Sequence, residues 1–170
     1  TLTISVTNVN DAPTEIELSL SSVPENSVGN TLVGSLTTTD PDLGDTFTYT
    51  RVDPAGGRSH LTGERLYLAS GASLDFETAT SQVVTVRVTD AGGRAFEQPI
   101  TVNLTNVNES PTGISLTASY VAENSGAGTA VGNLSATDPD AGETFVFTLL
   151  DSAGGRFQIS GTSLQVASGA

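Results

Sequence analysis

VNDAPTEIELSLSSVPENS, residues 9–27, returns as VNESPTGISLTASYVAENS, residues 107–125, a shift of 98 with no gap. Inside the first copy Ile16, Leu18 and Leu20 alternate with polar residues. A period of two puts apolar side chains on one face of an extended strand. The same shift of 98 carries TTTDPDLGDTFTYT (37–50) onto SATDPDAGETFVFT (135–148), DPAGGR (53–58) onto DSAGGR (151–156), and ASGA (69–72) onto ASGA (167–170). Self-similarity at one fixed period means tandem modules.

Working outward, Phe47 and Tyr49, Leu66 and Leu68, Val84, Val86 and Val88, and Ile100, Val102 and Leu104 show the same alternation, with Gly, Pro, Asp and Asn between the runs. No segment has helical spacing with caps. Roughly seven short strands per hundred residues predict an all-β chain of tandem Greek-key β-sandwiches. Leu2, Ile4 and Val6 match Ile100, Val102 and Leu104, so residues 1–11 read as the last strand of a preceding repeat plus a linker. Residues 12–110 then form a complete repeat, and 111–170 a truncated one. The truncated repeat has no counterpart of the strands around 84–88 and 100–104. It should expose core and an unpaired edge and be the less stable piece. Residues 2–6 of a neighbouring chain are one candidate to fill that gap.

The 170 residues carry 19 Asp and Glu against 6 Lys and Arg, a net charge of -13. Nucleic acid and anionic membranes require a basic face, so both are excluded as partners. No apolar run reaches the 18 residues of a spanning helix, which excludes membrane insertion by a helix. With no Cys and one His, thiolate and imidazole metal sites are poor fits. A hydrophobic fraction of 36%, regularly alternating, argues against disorder.

The acids gather at strand ends. Glu25 lies in VPEN, Asp40 and Asp42 in TDPD, Asp75 and Glu77 in LDFE, and Asp90 in VTDAGG; NVNDAP and NVNESP join the repeats. Carboxylates this close repel unless a cation sits among them. Hard cations take oxygen ligands, six to eight for calcium. NVNDA (8–12), PEN (24–26), DPDLG (40–44), LDFE (74–77) and TDA (89–91), with NVNES (106–110), AEN (122–124) and DPDAG (138–142) following at the shift of 98, resemble the cadherin repeat in its bacterial cadherin-like form.

That resemblance implies Ca2+ as cofactor, neighbouring repeats as partners, and an extracellular or cell-surface adhesion or extender module. It implies ligands Glu25, Asp75, Glu77, Asn106, Asn108, Glu109, Asp138 and Asp140 around the 106–110 linker. Around the 8–12 linker it implies Asn8, Asn10, Asp11, Asp40, Asp42 and Asp90. The linkers open on Asn8 and Asn106 where the family has Asp, and close on Pro13 and Pro111. Fewer negative ligands imply weaker binding and fewer ions.

Asp45 and Glu143 read as solvated charges ahead of outer ligands, His60 as a surface residue, and Arg58 and Arg156 as turn-side salt bridges ahead of ligand-binding groups. No enzyme is expected: the one His has Gln158 as its counterpart, and there is no phosphate loop. A direct ligand-binding module, homophilic or polysaccharide-binding, is the alternative. Tyr67 and Tyr120 are its best exposed aromatics.

Overall fold

The structure, a computed structural model, describes residues 2–52 and 57–169. Thr1, Ala170 and residues 53–56 of the DPAGGR match lie outside the described residues. Among the described residues there is no helix, hence none able to cross a membrane. The chain forms two compact units, Thr1–Val107 and Asn108–Ala170.

Unit 1 contains β1 (Glu15–Leu18), β2 (Ser22–Pro24), β3 (Leu32–Thr39), β4 (Thr48–Arg51), β5 (Ser59–Thr62), β6 (Arg65–Leu68), β7 (Ser81–Thr89) and β8 (Ala95–Thr105). They make two four-stranded sheets, ordered β1-β3-β6-β5 and β2-β8-β7-β4. The inward residues of both sheets form one core, with Ile16, Leu36, Leu66, Val33, Val86 and Val88 fully buried.

The eighth strand arises where the sequence predicts one. The apolar run Ile16, Leu18, Leu20 does not stay in one sheet. The chain leaves β3 after Leu18, exposes Leu20, and re-enters as β2, parallel to β8 in the opposite sheet. The crossing brings backbone against backbone. A Cβ at Gly34 would stand 2.9 Å from the Leu20 carbonyl oxygen, so only glycine fits there. Gly132 meets the Ala118 carbonyl oxygen in the same way at 2.6 Å.

Residues 2–6 form no strand, against the sequence-based expectation, and Leu2, Ile4 and Val6 are exposed. Their counterparts Ile100, Val102 and Leu104 are buried because β8 is flanked by β7 and β2. Alternation specifies a face, but a strand also requires a partner for its backbone groups.

Unit 2 contains β9 (Gly113–Leu116), β10 (Ala130–Thr137), β11 (Phe157–Ser160) and β12 (Ser163–Val166), in one sheet of order β11-β12-β10-β9. Residues 120–122 and 146–149, the counterparts of β2 and β4, are not strands. In unit 1 those two strands pair with β8 and β7, and unit 2 has no counterpart of either among the described residues. The core opens accordingly: Ile16 is 2% exposed and Ile114, its counterpart, 70%.

Candidate metal centres

The first centre sits where β2 ends and the β6–β7 connection turns. Ligand oxygens of Glu25, Asp75 and Glu77 lie within 4.8 Å of one another. Glu25 is buried, although it follows directly on the edge strand β2. Its Oε2 accepts from the Phe76 N–H at 2.8 Å and its Oε1 from the Val107 N–H at 2.8 Å. One carboxylate thus ties the LDFE turn and the segment after β8 to the end of β2. Asp75 caps its own turn, accepting from the Thr78 N–H at 2.8 Å and the Thr78 hydroxyl at 2.9 Å. The Thr78 N–H bond, followed by the hydroxyl bond, holds the Asp75 pKa below its ordinary value. The Asn106 amide donates to Glu77 Oε1 at 3.3 Å.

The second centre gathers the DPD turn after β3, the turn after β7, and the linker 8–11. The Asp42 N–H donates to Asp40 Oδ1 at 2.8 Å, an Asx turn closed between residues two apart. Asp42 accepts from the Asp11 N–H at 2.6 Å and the Asn8 amide at 2.5 Å. These two bonds, the Asp11 one first, lower its pKa. Asp90 is buried, which opposes ionisation. Bonds from the Asn10 amide (3.0 Å) and the Arg94 N–H (2.8 Å), with the Gly93 and Gly92 N–H groups, outweigh that and lower its pKa. The structure therefore brings together all six residues expected around the 8–12 linker.

It adds Asp45, which the sequence reading assigned to solvent. Asp40, Asp45 and Asp90 offer oxygens within 4.8 Å of one another. Asp40 Oδ2 and Asp45 Oδ2 are buried with no hydrogen-bond partner. Burial first, then repulsion from Asp40, Asp42 and Asp90, raises the Asp45 pKa. The only sequence signal was its position, five residues past Asp40 and behind Gly44, whose positive φ of 89° turns the chain back. Its counterpart Glu143 is exposed.

The residues expected around 106–110 are found as two groups. Glu25, Asp75, Glu77 and Asn106 lie in unit 1. Asn108, Glu109, Asp138 and Asp140 lie in unit 2. Unit 2 repeats the linker geometry of unit 1. The Glu109 N–H donates to Asp140 Oδ2 at 2.6 Å, the Asp140 N–H to Asp138 Oδ1 at 3.0 Å, and the Asn108 amide to the Glu109 carbonyl at 2.9 Å.

His60 is half-buried and stacks on Tyr67, with ring centroids 5.4 Å apart. Tyr67 is therefore less exposed than its phase suggests, whereas Tyr120 is fully presented.

Fold and site define a tandem β-sandwich module with oxygen-rich acidic centres at its strand ends. No family model matches the chain. Among curated proteins it is similar to human protocadherin Fat 1, 31% identical over 165 residues, covering 92% of this chain and 4% of that protein. It is 33% identical over 161 residues to mouse cadherin-24, covering 83% of this chain and 20% of that protein. It thus spans a small part of the relatives it matches. Among solved structures, human protocadherin-24 EC1-2 aligns with a TM-score of 0.74 at 24% identity, over 94% of this chain and 78% of that one. Mouse cadherin-23 EC22-24 aligns with a TM-score of 0.61 at 20% identity, over 92% and 54%. Curated and structural relatives together support the cadherin-domain family for this chain.

Proposed function

We propose that the chain is a calcium-binding, cadherin-like extender or adhesion module of a surface or secreted protein. This reading is a non-enzymatic one, supported by the chain's similarity to cadherins. The carrying observation is the pair of buried, partnerless oxygens, Asp40 Oδ2 and Asp45 Oδ2, beside buried Asp90. Buried polar atoms without partners are rare and costly, and two on mutually repelling carboxylates match the donor set of a hard cation. Asp40, Asp42, Asp45 and Asp90 would hold it in the second centre, and Glu25, Asp75 and Glu77 in the first. Calcium, when bound, supplies the positive charge that offsets their repulsion. Held at repeat ends, it stiffens successive repeats of the parent protein into a rod.

Affinity near 10⁻⁴ to 10⁻³ M as an order of magnitude, usual for extracellular modules, fits a location outside the cell. The bacterial reading rests on the motif resemblance; the relatives above come from animals.

Calorimetric titration with calcium and with magnesium tests the proposal, alongside melting in EDTA and in millimolar calcium. Saturable calcium heat, with a higher melting temperature that Asp40→Asn reduces, supports it. No heat and no shift would leave the acids as structural turns. Polysaccharide binding is a second reading, supported by the exposed ring of Tyr120. Loss of glycan binding in Tyr120→Ala tests it.

A further inference from the structure

A cavity opens between the two sheets of unit 1, with Leu74 of the LDFE turn on its wall. Its inner wall is Val23, Leu66, Leu68 and Val84, drawn from both sheets, and its volume is about 50 Å³. On the solvent side stand Arg51, Arg58, Ser59 and Gln82. The turn-side ion pair expected for Arg58 does not form among the described residues: its Nη1 donates to Gln82 Oε1 at 3.2 Å. Arg51 donates to the Ser59 carbonyl and likewise meets no carboxylate among the described residues. In a chain of 19 acids and 6 bases, two guanidinium groups stand at one apolar opening, and the acceptors they meet among the described residues are neutral. Unit 2 keeps Arg156 but has Leu149 in place of Arg51, so the pair is particular to unit 1.

An apolar pocket with a few convergent polar groups is the usual form of a small-ligand site. We infer that this cavity binds a short aliphatic monocarboxylate. The tail lies between the sheets and the carboxylate meets Arg51 and Arg58. An arginine fork matches carboxylate geometry, and the half-enclosed mouth strengthens the pair over one in open water. A neutral tail gains only apolar burial, and a tailless anion gains only a screened surface contact.

The test is methyl NMR on the 170-residue chain with hexanoate, hexanol and sulfate as probes, each followed at Leu66 and Val84. Hexanoate should shift both residues saturably, with hexanol and sulfate at least about tenfold weaker, the factor lost with a charge-assisted hydrogen bond. Arg51→Gln with Arg58→Gln, both outside the core, should weaken hexanoate by a similar factor and leave hexanol unchanged. Val84→Leu, which narrows the cavity, should weaken hexanoate and hexanol together in a protein whose melting confirms folding. Absence of hexanoate shifts, equal binding of hexanol, or unchanged hexanoate binding in the double variant would each overturn the inference.

Discussion

Glu25→Ala, measured in EDTA, isolates the structural share of a proposed calcium ligand. The carboxylate is 2% exposed and accepts two backbone N–H groups, from Phe76 and Val107, each at 2.8 Å. A hydrogen bond to a charged acceptor contributes about 1.5–3 kcal/mol, so stranding both donors costs about 3–6 kcal/mol. Unfolding free energies of natural domains are about 5–15 kcal/mol, so this is a large share of the total. For a domain of roughly this size each kcal/mol moves the melting temperature by about 4–8 °C, which predicts a fall of about 12 °C or more. Glu25→Gln keeps one acceptor oxygen and the side-chain shape, so it should lose about half as much. Its calcium response should nevertheless fall as far as that of the alanine variant, because the ligand charge is gone from both. Denaturant and thermal melting, with and without calcium, separate the two roles. An alanine variant within about 1 kcal/mol of the parent in EDTA would refute the hydrogen-bond argument. A glutamine variant with full calcium response would remove Glu25 from the metal set.

Asp45→Asn should act with opposite signs in the two conditions. A carboxyl whose folded pKa is raised favours the folded state below its ordinary value of 3.8, and that advantage is lost as pH rises through the raised value. At neutral pH in EDTA the substitution should therefore raise the melting temperature, while it shrinks the gain from calcium. Ile16→Ala should cost about 2–5 kcal/mol, and Ile114→Ala, at the matching position of the open unit, less than about 1 kcal/mol; equal losses in urea melts would show that the second core is closed. Gly92→Ala should weaken calcium binding severalfold in a titration, since a methyl there would overlap the Asn10 amide that bonds Asp90.

What could be read along the chain was local or periodic. The shift of 98 and the alternation at Val84–Val88 and Ile100–Leu104 specified strands and their inward faces, because both depend only on neighbours in sequence. The Asp40-Pro41-Asp42 turn closes on itself through one bond between residues two apart, so its chemistry was visible in the motif. Tertiary structure decided the rest. Glu25 became buried by bonds reaching 51 and 82 residues along the chain. Asp45 has one oxygen buried beside those of Asp40 and Asp90, a grouping that no spacing rule encodes. Leu2, Ile4 and Val6 carry the same pattern as Ile100, Val102 and Leu104 yet stay exposed. The pattern settles which face is apolar; burying it requires a neighbouring strand, and only the assembled sheet supplies one.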